Sequence, residues 1–253
     1  MTGIVYLVGA GPGAPDLLTV RAVRLLGEAD IVFHDALVPA EILALAPKAE
    51  KVAVGKRCGR HSTAQRFINK RLADATRRYR LVVRLKGGDP MLFGRAHEEI
   101  CFLEERGIPV EVVPGITSAL AASAAIGLSL TRRGVSRSVV FATPRAGKGE
   151  VPSDWARAVA AADTAVLYMA SHDGVNVAAE LVGHGMSPLT PIVVVASASM
   201  PGQIVAAGKL ADLAQLAAES AGSPALVLIG DVFAAAQALA GEARTLRTAS
   251  QSA

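Results

Sequence analysis

Three short segments combine glycine with groups able to bind or react: VGAGPGAPDLLT at residues 8–19, LKGGDPMLFGR at 85–95 and VPGITS at 113–118. Gly9, Gly11 and Ala14 fit the strand, G-x-G-x-x-G/A, helix pattern of a dinucleotide site, with Asp35 as the acid for a ribose hydroxyl. Pro12 and Pro15 oppose that reading, because each removes an amide donor where the phosphate would sit. Asp89, inside the second turn, opposes it as well. A carboxylate repels a pyrophosphate, whereas it favours a sulfonium, an α-amino group or a ribose diol. Glycines 87, 88 and 115 allow close approach of backbone to ligand.

These turns need a scaffold that brings them together. Strands are expected at Ile4–Val8, Ile31–Phe33, Val52–Val54, Leu81–Leu85 and Val110–Val113, alternating with helical patterns at Pro15–Glu28 and Thr63–Arg78. Such alternation predicts an α/β layer on a mostly parallel sheet, and ligands bind outside the carboxyl ends of such strands. The three turns could then border one crevice. An apolar helix at Thr117–Ile126 and the basic stretch Leu130–Arg137 follow. A second series then starts, with strands at Ser138–Thr143, Thr164–Met169, Pro191–Ala196, Gln203–Ala206 and Ala225–Gly230, and helices near Ser153–Ala162, Val175–Val182, Lys209–Ala218 and Val232–Ala240. The expected organisation is two α/β domains, 1–133 and 134–241, with a polar, disordered tail at 242–253.

Bulk properties narrow the function. Hydrophobic residues make up 51% of the 253, ample for a real core. Residues 1–3 lead into a strand without a signal-peptide pattern, and no apolar run reaches the roughly 18–20 residues of a membrane span, so a soluble, cytoplasmic protein is expected. Aromatic residues are only 4% and interleave with no basic run, which argues against a single-strand nucleic-acid platform. The net charge of +4 suits anionic partners. Cys58 and His61 are the nearest thing to a metal cluster and lack further ligands, so no metal is expected.

The segments VGAGPGAPDLLT, HDALV, VGKRCGRH, RLKGGDPMLFGRAHEE, VVPGITS and LTRRG, in that order and spacing, resemble the tetrapyrrole methylases, and within them the uroporphyrinogen-III C-methyltransferases. The resemblance covers about residues 4–232. It implies two α/β domains of a non-Rossmann, class III methyltransferase, with S-adenosylmethionine in the cleft between them, no metal, and a homodimer. It implies cofactor contacts at Pro12, Gly87, Gly88, Asp89, Leu92, Thr117, Ser118, Met169, Ala198 and Ala225. Departures from the family pattern are His34 in place of a tyrosine, Ala170 where glycine follows Met169, and Ala198 where glycine is expected.

The substrate implied is uroporphyrinogen III, methylated at C2 and C7 to give precorrin-2 through precorrin-1 for sirohaem or cobalamin synthesis. Arg95 and Arg133 are then the carboxylate clamps, since a guanidinium offers a bidentate fork, followed by Lys56, Arg57 and Arg132. Asp35 is the implied proton acceptor and Lys56 the donor, with Glu98 an alternative base. Plainer roles stand beside these: Asp35 could cap a helix beginning near Pro39, and Arg95 with Glu98 could form a surface i, i+3 pair. A methyltransferase of a later precorrin, a nicotinamide-dependent oxidoreductase and a non-catalytic binding protein are the rival functions.

Overall fold

The computed structural model describes residues 3–54, 65–147, 149, 151, 153–220 and 222–236. Two compact units divide the chain, residues 1–118 and 119–253. All ten expected strands form, each within a few residues of its expected limits.

The first unit is a five-stranded sheet of β1 (Ile4–Gly9), β2 (Ile31–His34), β3 (Glu50–Ala53), β4 (Leu81–Lys86) and β5 (Val110–Val113) in the order β3-β2-β4-β1-β5, with every pairing parallel. A parallel sheet is covered on both faces, so its central strands β1 and β2 are largely apolar, while edge strand β3 is mostly exposed. On one face Val8, Val32, Val83 and Leu85 pack with Ala22, Leu25 and Leu26 of α1 (Val20–Glu28) and Ile42 of α2 (Ala40–Leu43). On the other, Val5, Leu7, Phe33 and Val82 pack with Ile68 and Leu72 of α3 (Gln65–Ala75) and Leu103 of α4 (Ala96–Glu104). The helix expected from Pro15 to Glu28 is interrupted. A 3-10 turn occupies Pro15–Leu17, and α1 starts afresh where the Thr19 hydroxyl accepts the Ala22 amide at 3.2 Å.

The boundary expected after residue 133 falls earlier because of α5 (Ser118–Ile126). Its Ala119, Ala121 and Ala122 join Val166, Val193 and Leu228 in the core of the second unit. The helix has almost no polar face, so its pattern carries no sign of which sheet it covers.

The second unit has β6 (Val139–Ala142), β7 (Thr164–Tyr168), β8 (Pro191–Ala196), β9 (Ile204–Lys209) and β10 (Ala225–Ile229) in the order β6-β7-β10-β8-β9. Only β6 and β7 pair in parallel; β10 runs antiparallel to both β7 and β8, and β9 antiparallel to β8. This sheet is therefore mixed and mainly antiparallel. No helix separates β8 from β9, so the chain turns straight back. α6 (Trp155–Ala160), α7 (Gly174–Gly183) and α8 (Leu213–Ala218) cover one face through Trp155, Val177, Leu181 and Leu213, and α5 lies on the other.

Candidate functional site

Strand order makes neighbours of the three glycine turns, since β4, β1 and β5 are adjacent and parallel. Gly11 and Gly88 exchange backbone hydrogen bonds of 3.2 and 2.7 Å, both at left-handed φ near +66° and +68°. A β-carbon on Gly9 would stand 2.6 Å from the Gly115 α-carbon and 2.7 Å from the Gly88 oxygen. Three backbones thus touch at one point, which only glycine permits. Pro12 lies half-buried between Gly11 and Gly13, and Leu92 and Thr117 are also half-buried on these turns, while Ser118 begins α5.

Asp89 locks two of the turns together. Its Oδ1 accepts the Met91 amide at 2.8 Å and its Oδ2 the Gly115 amide at 2.9 Å. The carboxylate expected to face a ligand also fixes the loop geometry, a role its position in the sequence did not reveal.

The dinucleotide reading fails on geometry. Its helix would begin inside the glycine motif with free amides aimed at phosphate. Here α1 begins only at Val20, beyond the 3-10 turn and the Thr19 cap. Asp35, the acid of that reading, receives Arg84 Nη2 on Oδ1 at 2.6 Å. Nor does Asp35 cap α2, whose N-cap residue is Pro39 with no side-chain bond.

Arg95 adopts φ +56° at the N-cap of α4 and grips Glu98 through Nε and Nη2 at 2.6 and 2.7 Å, both side chains exposed. That fork holds the Glu98 carboxyl below the usual carboxylate range, which makes it a weak base. Arg133 is exposed at the tip of a tight turn closed by the Arg132–Ser136 bridge. Lys56, Arg57, Cys58 and His61 lie outside the described residues. Among the described residues no group of metal-ligating side chains forms, and no helix is long and apolar enough to cross a membrane.

In the second unit, antiparallel pairing gathers Met169, Ala198 and Ala225. Leu226 pairs with Tyr168 and Ala225 with Ala196, so the start of β10 lies beside the ends of β7 and β8. Met169, Ser197 and Ser199 all have positive φ, as do Phe93 and Arg95 in the first unit. These five are the only non-glycine residues so strained among those described, and all sit on segments expected to bind ligand. Met169 is exposed, Ala225 half-buried and Ala198 buried. A separate cavity of about 330 Å³ at the start of α7, lined by His172, Asp173, Ala214 and Ser223, holds none of the expected residues.

A buried charge cluster escaped the sequence reading. Glu99 on α4, fully buried, accepts Arg84 Nε at 3.0 Å, Gln65 Nε2 at 3.0 Å and Lys86 Nζ at 2.8 Å. Two cations spaced i, i+2 within the otherwise apolar run LVVRLK were the available signal, because that spacing aims both at one face of the sheet.

The family model for Tetrapyrrole (Corrin/Porphyrin) Methylases matches residues 4–214. A siroheme synthase of Psychrobacter sp. (strain PRwf-1) is 46% identical over 232 residues, covering 91% of this chain and 48% of the relative. The chain spans about half the length of the curated relatives it matches. A uroporphyrin-III C-methyl transferase from Thermus thermophilus, crystallised with S-adenyl homocysteine, superposes with a TM-score of 0.79 at 43% identity, covering 91% of this chain and 93% of that one. A cobalt precorrin-4 methyltransferase gives a TM-score of 0.79 at 31% identity, with 90% and 95% covered. With a family model over residues 4–214 and a structural match over 91% of its length, the chain belongs to the tetrapyrrole methylases.

Proposed function

We propose that this chain is a uroporphyrinogen-III C-methyltransferase that uses S-adenosylmethionine to methylate C2 and then C7, giving precorrin-2 by way of precorrin-1. The observation that carries the reading is the 43% identity, across 91% of this chain, with the Thermus thermophilus enzyme crystallised with S-adenyl homocysteine. The backbone of the second turn suits such a ligand. A β-carbon on Gly87 would meet only Leu37 at 3.8 Å, and one on Gly88 only the Thr117 α-carbon at 3.9 Å, so there is open room at both.

Bound S-adenosylmethionine would supply an electrophilic methyl carbon on a sulfonium. In the first unit Gly87, Gly88, Thr117 and Ser118 would hold it with Pro12, Leu92 and Asp89, the Gly88 amide itself being spent on Gly11; in the second, Met169, Ala198 and Ala225 would offer it apolar surface. Arg133 and Arg95 bind substrate carboxylates. Asp35 takes the proton that the macrocycle loses on methylation, through Oδ2, because Arg84 holds Oδ1. Glu98 is the alternative base, its carboxyl held low by Arg95. Lys56 is the proposed donor. Most of the acceleration comes from aligning ring carbon, methyl and sulfur away from water. The same reading makes the protein a cytoplasmic homodimer serving sirohaem-type synthesis, and light scattering tests the dimer.

The deciding experiment incubates the purified chain with uroporphyrinogen III and S-adenosylmethionine without oxygen and follows mass. A gain of two methyl groups is expected. The likeness to a cobalt precorrin-4 methyltransferase supports a second reading, a later corrin precursor as substrate. No gain on uroporphyrinogen III, with methylation of a later precursor, would favour it.

A further inference from the structure

The buried charges of the first unit form a connected line that ends at Asp35. Asn69 Nδ2 donates to the Glu98 carbonyl and Gln65 Nε2 to Asn69 Oδ1, and Gln65 also reaches Glu99 Oε1. Glu99 holds Lys86 and Arg84 on its two oxygens. Arg84 then spends Nε on Glu99, Nη1 on the Leu85 carbonyl at 3.2 Å and Nη2 on Asp35. The side chains of Arg84, Lys86 and Glu99 are 3%, 4% and 0% exposed, whereas that of Asp35 is 30% exposed. The buried charges therefore reach the surface at Asp35, while half-buried Gln65 closes the other end of the line.

Stability does not account for such a device. Taking each ion out of water costs several kcal/mol, and well-packed apolar side chains in their place are commonly neutral or stabilising. Burial draws the Lys86 ammonium below its ordinary range, the Arg84 charge adds to that, and Glu99 opposes it. Burial also works against the Arg84 charge, yet Asp35 and Glu99 outweigh it and hold the guanidinium ionised. What the arrangement does provide is orientation, because all three guanidinium nitrogens are committed in one plane.

We propose that Glu99 is a positioning residue for Asp35, acting through Arg84, with Lys86 as the counter-ion that lets Glu99 stay ionised in its buried setting. Glu99 clamps Arg84 Nε, the clamped guanidinium presents Nη2 to Asp35 Oδ1, and Oδ2 keeps a fixed aim. The inference rests on the role given to Asp35 above.

The test uses the 253-residue chain with Lys86→Met and Glu99→Leu combined, which removes one charge of each sign at similar volume. A lower midpoint with cooperative unfolding, because Arg84 Nε loses its partner, and unchanged binding of S-adenosylhomocysteine are expected, while kcat for methylation of uroporphyrinogen III falls roughly ten- to a hundredfold with KM for S-adenosylmethionine unaltered. A folded double variant that keeps the parent kcat overturns the inference. If the double variant does not fold, Arg84→Lys decides, since an ammonium cannot serve Glu99 and Asp35 with one fixed fork. It should lose kcat alone, and full activity in it refutes the positioning role. A parent chain that methylates no uroporphyrinogen III removes the reading of Asp35 and this inference together. A parent that does so beside an equally active variant removes the inference only.

Discussion

Gly88 and Gly115 meet backbone to backbone: a β-carbon on Gly115 would stand 2.3 Å from the Gly88 carbonyl oxygen and 2.9 Å from the Gly9 α-carbon. That oxygen already accepts the Gly11 amide at 3.2 Å, so it cannot step aside without unpicking the first turn. Gly115→Ala should therefore cost about 1–3 kcal/mol in urea unfolding and abolish measurable binding of S-adenosylhomocysteine by calorimetry. Gly27→Ala is the control. It sits in α1 with nothing within 4 Å of its added carbon, and it should gain about 0.5–1 kcal/mol with binding intact.

Asp89 serves two amides with two oxygens, those of Met91 and Gly115. Asp89→Asn offers one oxygen and one amide group, so it can satisfy one partner and repels the other. Affinity for S-adenosylhomocysteine should drop about tenfold or more, equivalent to losing a charge-assisted hydrogen bond. Unaltered affinity would take Asp89 out of the site.

Arg133 projects from a turn exposed to solvent, whereas the glycine contacts belong to other segments. Arg133→Ala should raise KM for uroporphyrinogen III about tenfold while leaving the affinity for S-adenosylhomocysteine alone. Equal losses on both ligands would contradict a carboxylate-binding role.

How much of this was readable in advance differs between the units. Apolar runs such as IVYLVG and PIVVVA marked the buried central strands, because burial demands them whatever the strand direction. Direction itself leaves no periodic trace, so the antiparallel insertion of β10 was invisible. The glycine turns were legible since backbone contact restricts the side chain to hydrogen. Glu99 was not, as EE within AHEEICFLE looks like a solvated helix face until Arg84 and Lys86 arrive from a strand thirteen and more residues away.

Asp163 gives a pH signature in the second unit. Its Oδ2 accepts the amides of Arg137 and Ser138 and the Ser138 hydroxyl, and these bonds hold its carboxyl below the ordinary 3.8. A carboxyl depressed in the folded state binds fewer protons than in the unfolded chain, so its contribution is complete above about pH 5 and disappears as pH falls through the folded value. Asp163→Asn should lower the unfolding midpoint at pH 7, and the gap between variant and parent should narrow as pH falls below the ordinary 3.8 in a series of thermal melts. A gap of constant size across that range would show that its charge is irrelevant.

The strand that completes the second sheet is also the last one made. β10 fills the centre between β7 and β8, yet it begins only at Ala225 of 253 residues. A nascent chain halted ahead of that point would carry β6 with β7 and β8 with β9 as two separate ribbons, each with a long unsatisfied backbone margin. Until that final strand is in place, the second sheet offers two open backbone edges able to pair with other chains.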